Sequence, residues 1–204
     1  MLRPIHWHRL PRDFAVIQIG FGLFGLAIAI LIQANFGTSP WAVFEVALLN
    51  YFPITAGQAS ILVGFGVLVF ALLLRQPIGW GTVANIVFIG LWEDLFLSVL
   101  PAAHDNWLIQ LPYLLLGVAA MGAATAIYIG VNAGAGPRDS LMLAISRTTG
   151  ISVRLARTAI EVSVVAAGWL LGGPAGLGTL IFALTIGPSV QAAFRLFKVD
   201  PRTR

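Results

Sequence analysis

In a chain of 204 residues, 58% are hydrophobic and only 10% are charged, against about a quarter charged in soluble proteins; the mean hydropathy is +0.91. That composition excludes a water-soluble domain and points to an integral membrane protein. There is no cysteine, which excludes disulfides and thiolate metal sites, and the net charge of +4 is spread between apolar runs rather than gathered in one patch, which argues for a lipid bilayer and against nucleic acid as the partner.

In chain order, residues 1–13 form a basic N-terminal segment with Arg3, Arg9 and Arg12. The apolar run 14–34 that follows is longer than a signal core of about 7–15 residues and no small-residue cleavage site follows it, so it reads as a retained first span. Next comes GTSPW at 37–41, where Gly37 allows an unusual turn, Ser39 is a good N-cap and Pro40 suits the first helical position. A short helix, 40–51, starts there. Spans 57–74 and 81–100 complete the first half, 14–100. The second half, 109–197, opens with span 109–130, turns at Gly134 and Gly136, restarts at Pro137 with a short helix 137–148, and ends with spans 154–171 and 178–197. Residues 198–204 form a basic tail. Each long run suits the roughly 17–25 residues that a helix needs to cross the hydrocarbon. The expected fold is therefore all-α, a polytopic bundle of six transmembrane helices.

With six crossings and the N-terminus inside, Arg75, Arg138, Arg147, Arg154, Arg157, Arg195, Lys198, Arg202 and Arg204 join the three N-terminal arginines on the cytoplasmic side. These are all 12 basic residues, so the positive-inside rule predicts both termini in the cytoplasm. Trp7 and Trp80 then fall at one interface and Trp41, Trp107 and Trp169 at the other, leaving Trp92 at depth.

Residues 20–90 align without gaps on 117–187 at an offset of 97, matching Asn35 with Asn132, Gly37 with Gly134, Pro40 with Pro137, Pro77 with Pro174, Gly79 with Gly176, Gly81-Thr82 with Gly178-Thr179 and Gly90 with Gly187. The chain is an internal duplication. Three crossings is an odd number, so the second copy lies upside down, and inverted repeats with interrupted helices are typical of secondary transporters. The short helices either lie flat in the interface or fold back as re-entrant segments, and their length favours the interface.

The runs GAGPRDSLMLAI at 134–145, RTAIEVSVVAAGWLLGG at 157–173, GLGT at 176–179, IGPSVQ at 186–191 and the first-half GTSPW resemble the YczE/YitT-type bacterial membrane proteins, more specifically their YczE-like branch. The resemblance covers about 14–197 and implies a multi-pass protein of the bacterial cytoplasmic membrane, without a substrate or reaction. Relatives commonly carry Pro-Trp-Asp in the first motif; here Ala42 stands in place of the acid and Asp139 keeps it in the second copy.

Ionisable residues inside spans are costly and mark candidate sites. Glu161 lies about two turns into its span, with Arg157 on the same face. Together with Gly134, Gly136, Pro137, Arg138 and Asp139 they would make a substrate-binding cluster open to the cytoplasm, and Gly37, Ser39 and Pro40 form the matching helix start of the first copy. Glu93 and Asp94 are adjacent and point about 100° apart, so one of them faces the interior, either as a coupling acid or as a buried acid satisfied by Asn85, Gln58 or an arginine. Glu45 is expected to be solvated. Asn35 and Asn132 suit turn backbone, and Pro188 is expected to kink or unwind the last span. No metalloprotease or serine-hydrolase motif occurs, His6, His8 and His104 lie outside the spans, and no cofactor or metal is called for. The sequence thus favours a permease for a small solute, with anions as a candidate class, over an enzyme, and a non-transporting accessory or scaffold protein is the competing class. Two short copies make a thin wall for a pathway, which leaves room for a homodimer.

Overall fold

The computed structural model describes residues 8, 10–103, 106–134 and 136–199, and the regular elements among them are all α-helices. Arg3, His6, Trp7, Arg9, His104, Ala135, Arg202 and Arg204 lie outside the described residues. The helices are α1 (Leu10–Gln33), α2 (Pro40–Leu48), α3 (Ala56–Leu73), α4 (Trp80–Val99), α5 (Trp107–Gly130), α6 (Pro137–Thr149), α7 (Val153–Leu170) and α8 (Leu177–Leu196). Five of them, α1, α3, α4, α5 and α8, are long and apolar enough to cross a membrane. The protein is a multi-pass membrane protein. The expected sixth span corresponds to α7, a helix of 18 residues that carries Arg154, Arg157 and Glu161 and falls outside that set. Large apolar side chains such as Ile19, Phe70, Leu116 and Leu184 are exposed, which is what a lipid-facing surface requires.

Helix starts follow local chemistry. Ser39 caps α2 and accepts a hydrogen bond from the Ala42 amide, with Pro40 in the first position. Thr55 and Gln58 form a reciprocal capping box at α3. Ser152 caps α7 through the Leu155 amide at 3.2 Å. Gly150, at φ 76°, ends α6 in the left-handed region. Helix α8 runs through Pro188 rather than unwinding there.

The centre of the bundle is the crossing of α1 and α5, which run antiparallel. A β-carbon at Gly20 would meet Tyr128 at 3.1 Å and one at Gly117 would meet Leu31 at 2.7 Å. These two contacts exchange under the offset of 97. So do several others. Gly25 packs on Trp92, as Gly122 packs on Ser189. The Gly81 amide donates to the Ala133 carbonyl at 3.0 Å, as Gly178 donates to Phe36 at 2.7 Å. Positive φ recurs at Asn35 and Asn132, 49° and 59°, and at Gly37 and Gly134, 101° and 132°; asparagine tolerates that region better than most side chains.

Helix α2 is buried, with Pro40, Trp41, Ala42, Val43, Glu45 and Ala47 all enclosed. It packs on α3 and α7 rather than lying flat on the outside of the bundle. Gly168 and Gly173 permit this, because a β-carbon at Gly168 would meet Phe44 backbone at 2.6 Å and one at Gly173 would strike the Val43 carbonyl.

One seam breaks the correspondence. Helix α3 lies along α4, with Gly57 and Gly90 so close that a β-carbon on either would strike the other's carbonyl oxygen. Helix α7 packs on α2 and α6 and makes no comparable seam with α8. Gly187, the counterpart of Gly90, has nothing within 4 Å of a β-carbon built on it.

This difference gives an expected outcome for two matched substitutions. Gly57→Ala overpacks the closed seam and costs about 1–3 kcal/mol, whereas Gly187→Ala leaves thermal stability in detergent unchanged or raises it by up to about 1 kcal/mol. Melting curves of the purified variants check both.

Candidate functional site

A cavity of about 310 Å³ opens inside the bundle and takes lining residues from all eight helices. That volume is at the lower end of small-molecule sites. Its walls are mostly apolar, with Phe24, Ile86, Ile89, Met121, Phe182 and Ile186 among them, and one side carries Arg138, Asp139, Arg157 and Glu161.

The starts of the two short helices meet at this charged side. Residues 41 and 138 correspond in the repeat, and the Arg138 guanidinium lies 4.9 Å over the Trp41 ring. Arg138 also forms an ion pair with Glu45, which is 1% exposed. Behind Glu45, the Ser60 hydroxyl lies 3.1 Å from Glu45 Oε2 and 2.7 Å from Glu93 Oε2. Glu93 is fully buried, and its Oε1 has no hydrogen-bond partner. A chain of polar groups therefore runs from the cavity through Arg138, Glu45 and Ser60 to Glu93.

The remaining charges of the site lie on α6 and α7. Arg157 Nε donates to Glu161 Oε1 at 2.9 Å, an (i, i+4) pair along α7 with Arg157 47% exposed. Tyr128 donates its hydroxyl to Asp139 at 3.3 Å. Enclosure within the bundle pushes the Asp139 carboxyl above its ordinary value, while Arg157, the Tyr128 hydroxyl and Arg138 pull it down.

Of the residues singled out in the sequence, Ser39, Pro40, Gly136, Pro137, Arg138, Asp139, Arg157 and Glu161 line the cavity. Gly37 and Gly134 do not line it. They hold the loops against α8 and α4, where a β-carbon would meet Gly176 and Thr179 or Thr82 and Gly79 at 3.1 Å or less. Of the two adjacent acids, Glu93 is the buried one. Asp94 points the other way and ties down the start of α3, accepting from the Thr55 hydroxyl at 2.5 Å and the Gly57 amide at 2.8 Å. The expectation that Glu45 is solvated is wrong, because α2 is enclosed and its buried acid is paired with the half-buried Arg138. Sequence reasoning also missed Ser60 and Tyr128. A signal was available for Glu45, since the counterpart positions 41 and 138 already bring the two helix starts together if the duplication folds symmetrically.

Residues 11–195 match the family model described as "Family of unknown function (DUF6198)". The chain belongs to this family. It is 36% identical over 167 residues to "Uncharacterized membrane protein YczE" of Bacillus subtilis, covering 80% of this chain and 76% of that protein. It is 30% identical to an "Uncharacterized protein" of Haemophilus influenzae, over 91% of this chain and 84% of the relative. "Uncharacterized protein YyaS" of Bacillus subtilis is 28% identical over 80% of this chain and 83% of its own length. The YczE-like resemblance read from the motifs is thus shown for the family as a whole. No solved structure matches the chain.

The two ion pairs differ in burial and so in what their loss does. Arg138→Gln strands the buried Glu45 and is expected to cost about 3–5 kcal/mol, while Arg157→Gln removes an exposed pair and costs less than about 1 kcal/mol. Chemical denaturation of both variants in one detergent checks the contrast.

Proposed function

We propose that the chain is a small-solute transporter of the bacterial cytoplasmic membrane, working by alternating access between two inverted three-span repeats. The observation that carries this reading is the cavity, which lies between the two halves, draws on every helix and ends on charged side chains. A closed, dry bundle would have favoured an accessory or scaffold role instead.

In this reading α7 is the sixth span. Its charges do not argue against crossing, because Arg157 and Glu161 line the cavity and need not meet lipid. Helices α2 and α6 are the two re-entrant segments, with their positive N-terminal ends turned toward the site. With both termini in the cytoplasm, the closed α3–α4 seam lies on the outer side and the parted α7–α8 seam on the inner side, so the molecule is open inward. Exchange of the two seams would open it outward. The solute is small, has an apolar body to match the walls, and carries an anionic group for the arginines. The protein acts without catalysis, cofactor or metal, and a homodimer would thicken its wall.

Flux in proteoliposomes tests the reading, with a panel of small organic anions and zwitterions. Glu161→Gln and Arg138→Lys, if folded, should each lower uptake at least tenfold for whichever solute wild type carries. Absence of flux for every solute, with the protein intact, turns the search to accessory partners.

A second test uses the lack of native cysteine. Ser152→Cys and Gln191→Cys occupy the positions that correspond to Thr55 and Asp94. The pair should form a disulfide only as α7 closes on α8, faster in the presence of solute, and the cross-link should stop flux. A cross-link without effect on flux would overturn the seam exchange.

A further inference from the structure

The acids behind Arg138 raise a question of hydrogen count. Ser60 has one hydroxyl hydrogen, yet its oxygen lies within hydrogen-bond distance of a carboxylate oxygen of Glu45 and one of Glu93. It can donate to one of them only. The other contact is a hydrogen bond if that carboxyl itself carries a hydrogen and donates to the serine oxygen. Two ionised carboxylates sharing a dry pocket with one arginine would also leave a charge uncompensated, which is costly. Glu93 Oε1 adds an independent sign, being buried and without a partner.

The charged groups around Glu93 are few. Helix α2 brings Glu45 and α6 brings Arg138. Helix α3 has no ionisable residue, and α1 has only Arg12 and Asp13, in its first turn. Asp94, on the same helix as Glu93, is turned to Thr55 and Gly57. Of the triad, Ser60 lines the cavity and the two glutamates do not, so the serine hydroxyl is the step between cavity and acids.

We propose that Glu45, Ser60 and Glu93 form a proton-binding site holding one proton between the two carboxyl groups, and that Arg138 links its occupancy to an anionic solute in the cavity. An anion that draws the Arg138 guanidinium toward itself removes the cation from Glu45, and the acid pair then takes up a second proton from the cavity side. Solute and proton therefore bind together, as a proton–anion symporter requires. What the proton drives rests on the transport reading above; the proton site itself does not.

A hydrophobic carbodiimide reacts with a buried carboxyl group in its protonated form, and it is the probe for the site. Detergent-purified full-length protein is labelled across a pH series and the modified peptides are identified by mass spectrometry. The expected result is one label per chain, on Glu45 or Glu93, declining as pH rises. Glu93→Gln, nearly isosteric, abolishes the label at both positions, since Ser60 then donates to an ionised Glu45. Ser60→Ala keeps the label and moves its decline up by about one pH unit, as expected for loss of a hydrogen bond to an ionised acceptor; an unmoved or lowered decline would count against the site, and this variant serves as the test if Glu93→Gln does not fold. Arg138→Gln gives roughly two labels per chain, because the arginine no longer favours an ionised carboxylate. Labelling that ignores pH, that persists on Glu45 at full level in Glu93→Gln, or that sodium displaces at fixed pH would overturn the proton site. Label without flux of any solute overturns the transport reading and leaves the proton site standing; flux without label does the reverse.

Discussion

Close backbone approach at glycine is the constraint on which the rest of the bundle depends. In a bilayer, apolar side chains gain little by leaving lipid for protein, so helices associate through tight packing and through small residues that let backbones touch. Gly20 and Gly117 set the α1–α5 crossing, and Gly25 and Gly122 seat α4 and α8 against it. The loops that follow α1 and α5 are then delivered to α8 and α4, where the Phe36 and Ala133 carbonyls accept from Gly178 and Gly81. Those loops aim the two short helices inward. Every feature of the site comes after this step.

What the short helices deliver is costly. A buried ion pair contributes less than its Coulomb attraction suggests, because both ions must leave water. Here the cost is larger, since a second acid with one unpartnered oxygen lies within reach of the same serine. Well-packed apolar residues could fill these positions, and in the second copy they do, with Met142 and Val190 standing opposite Glu45 and Glu93. Packing therefore gives no reason for the acids. A function that uses their charge does.

Sequence alone carried the architecture far. Apolar run length located the helices, and the offset of 97 anticipated paired details as fine as positive φ at Asn35 and Asn132. The proline-marked helix starts and the α7 charges pointed to residues that do line the cavity. Two matters were not legible. Burial of α2 depends on glycines more than a hundred residues away, Gly168 and Gly173, whose partners no local pattern names. The roles of Glu93 and Asp94 depend on a rotation of α4 about its axis, fixed by Gly90 against Gly57, and adjacency shows only that the two acids diverge.

The two halves share a backbone plan but not its chemistry, and that division has a consequence for motion. Position by position, Trp41 stands opposite Arg138, Ser60 opposite Arg157 and Gly64 opposite Glu161, so the polar site is assembled once, from unlike halves, and its chemistry need not change in the proposed rearrangement. The seams, by contrast, share several of their parts. Gly90 has Gly187 as its counterpart, Asp94 has Gln191 and Thr55 has Ser152. Other seam positions differ: Gly57 has Arg154 as its counterpart, whose long flexible side chain can carry its charge out to the membrane surface, while Ile61 and Gly64 have Thr158 and Glu161. In the proposed transport cycle the parted α7–α8 seam would close through the shared glycine and the Ser152 and Gln191 positions, with Arg154 swinging aside. If the transport reading holds, two arrangements that share these contacts would differ little in free energy, and a small difference would let a bound solute or proton decide between them.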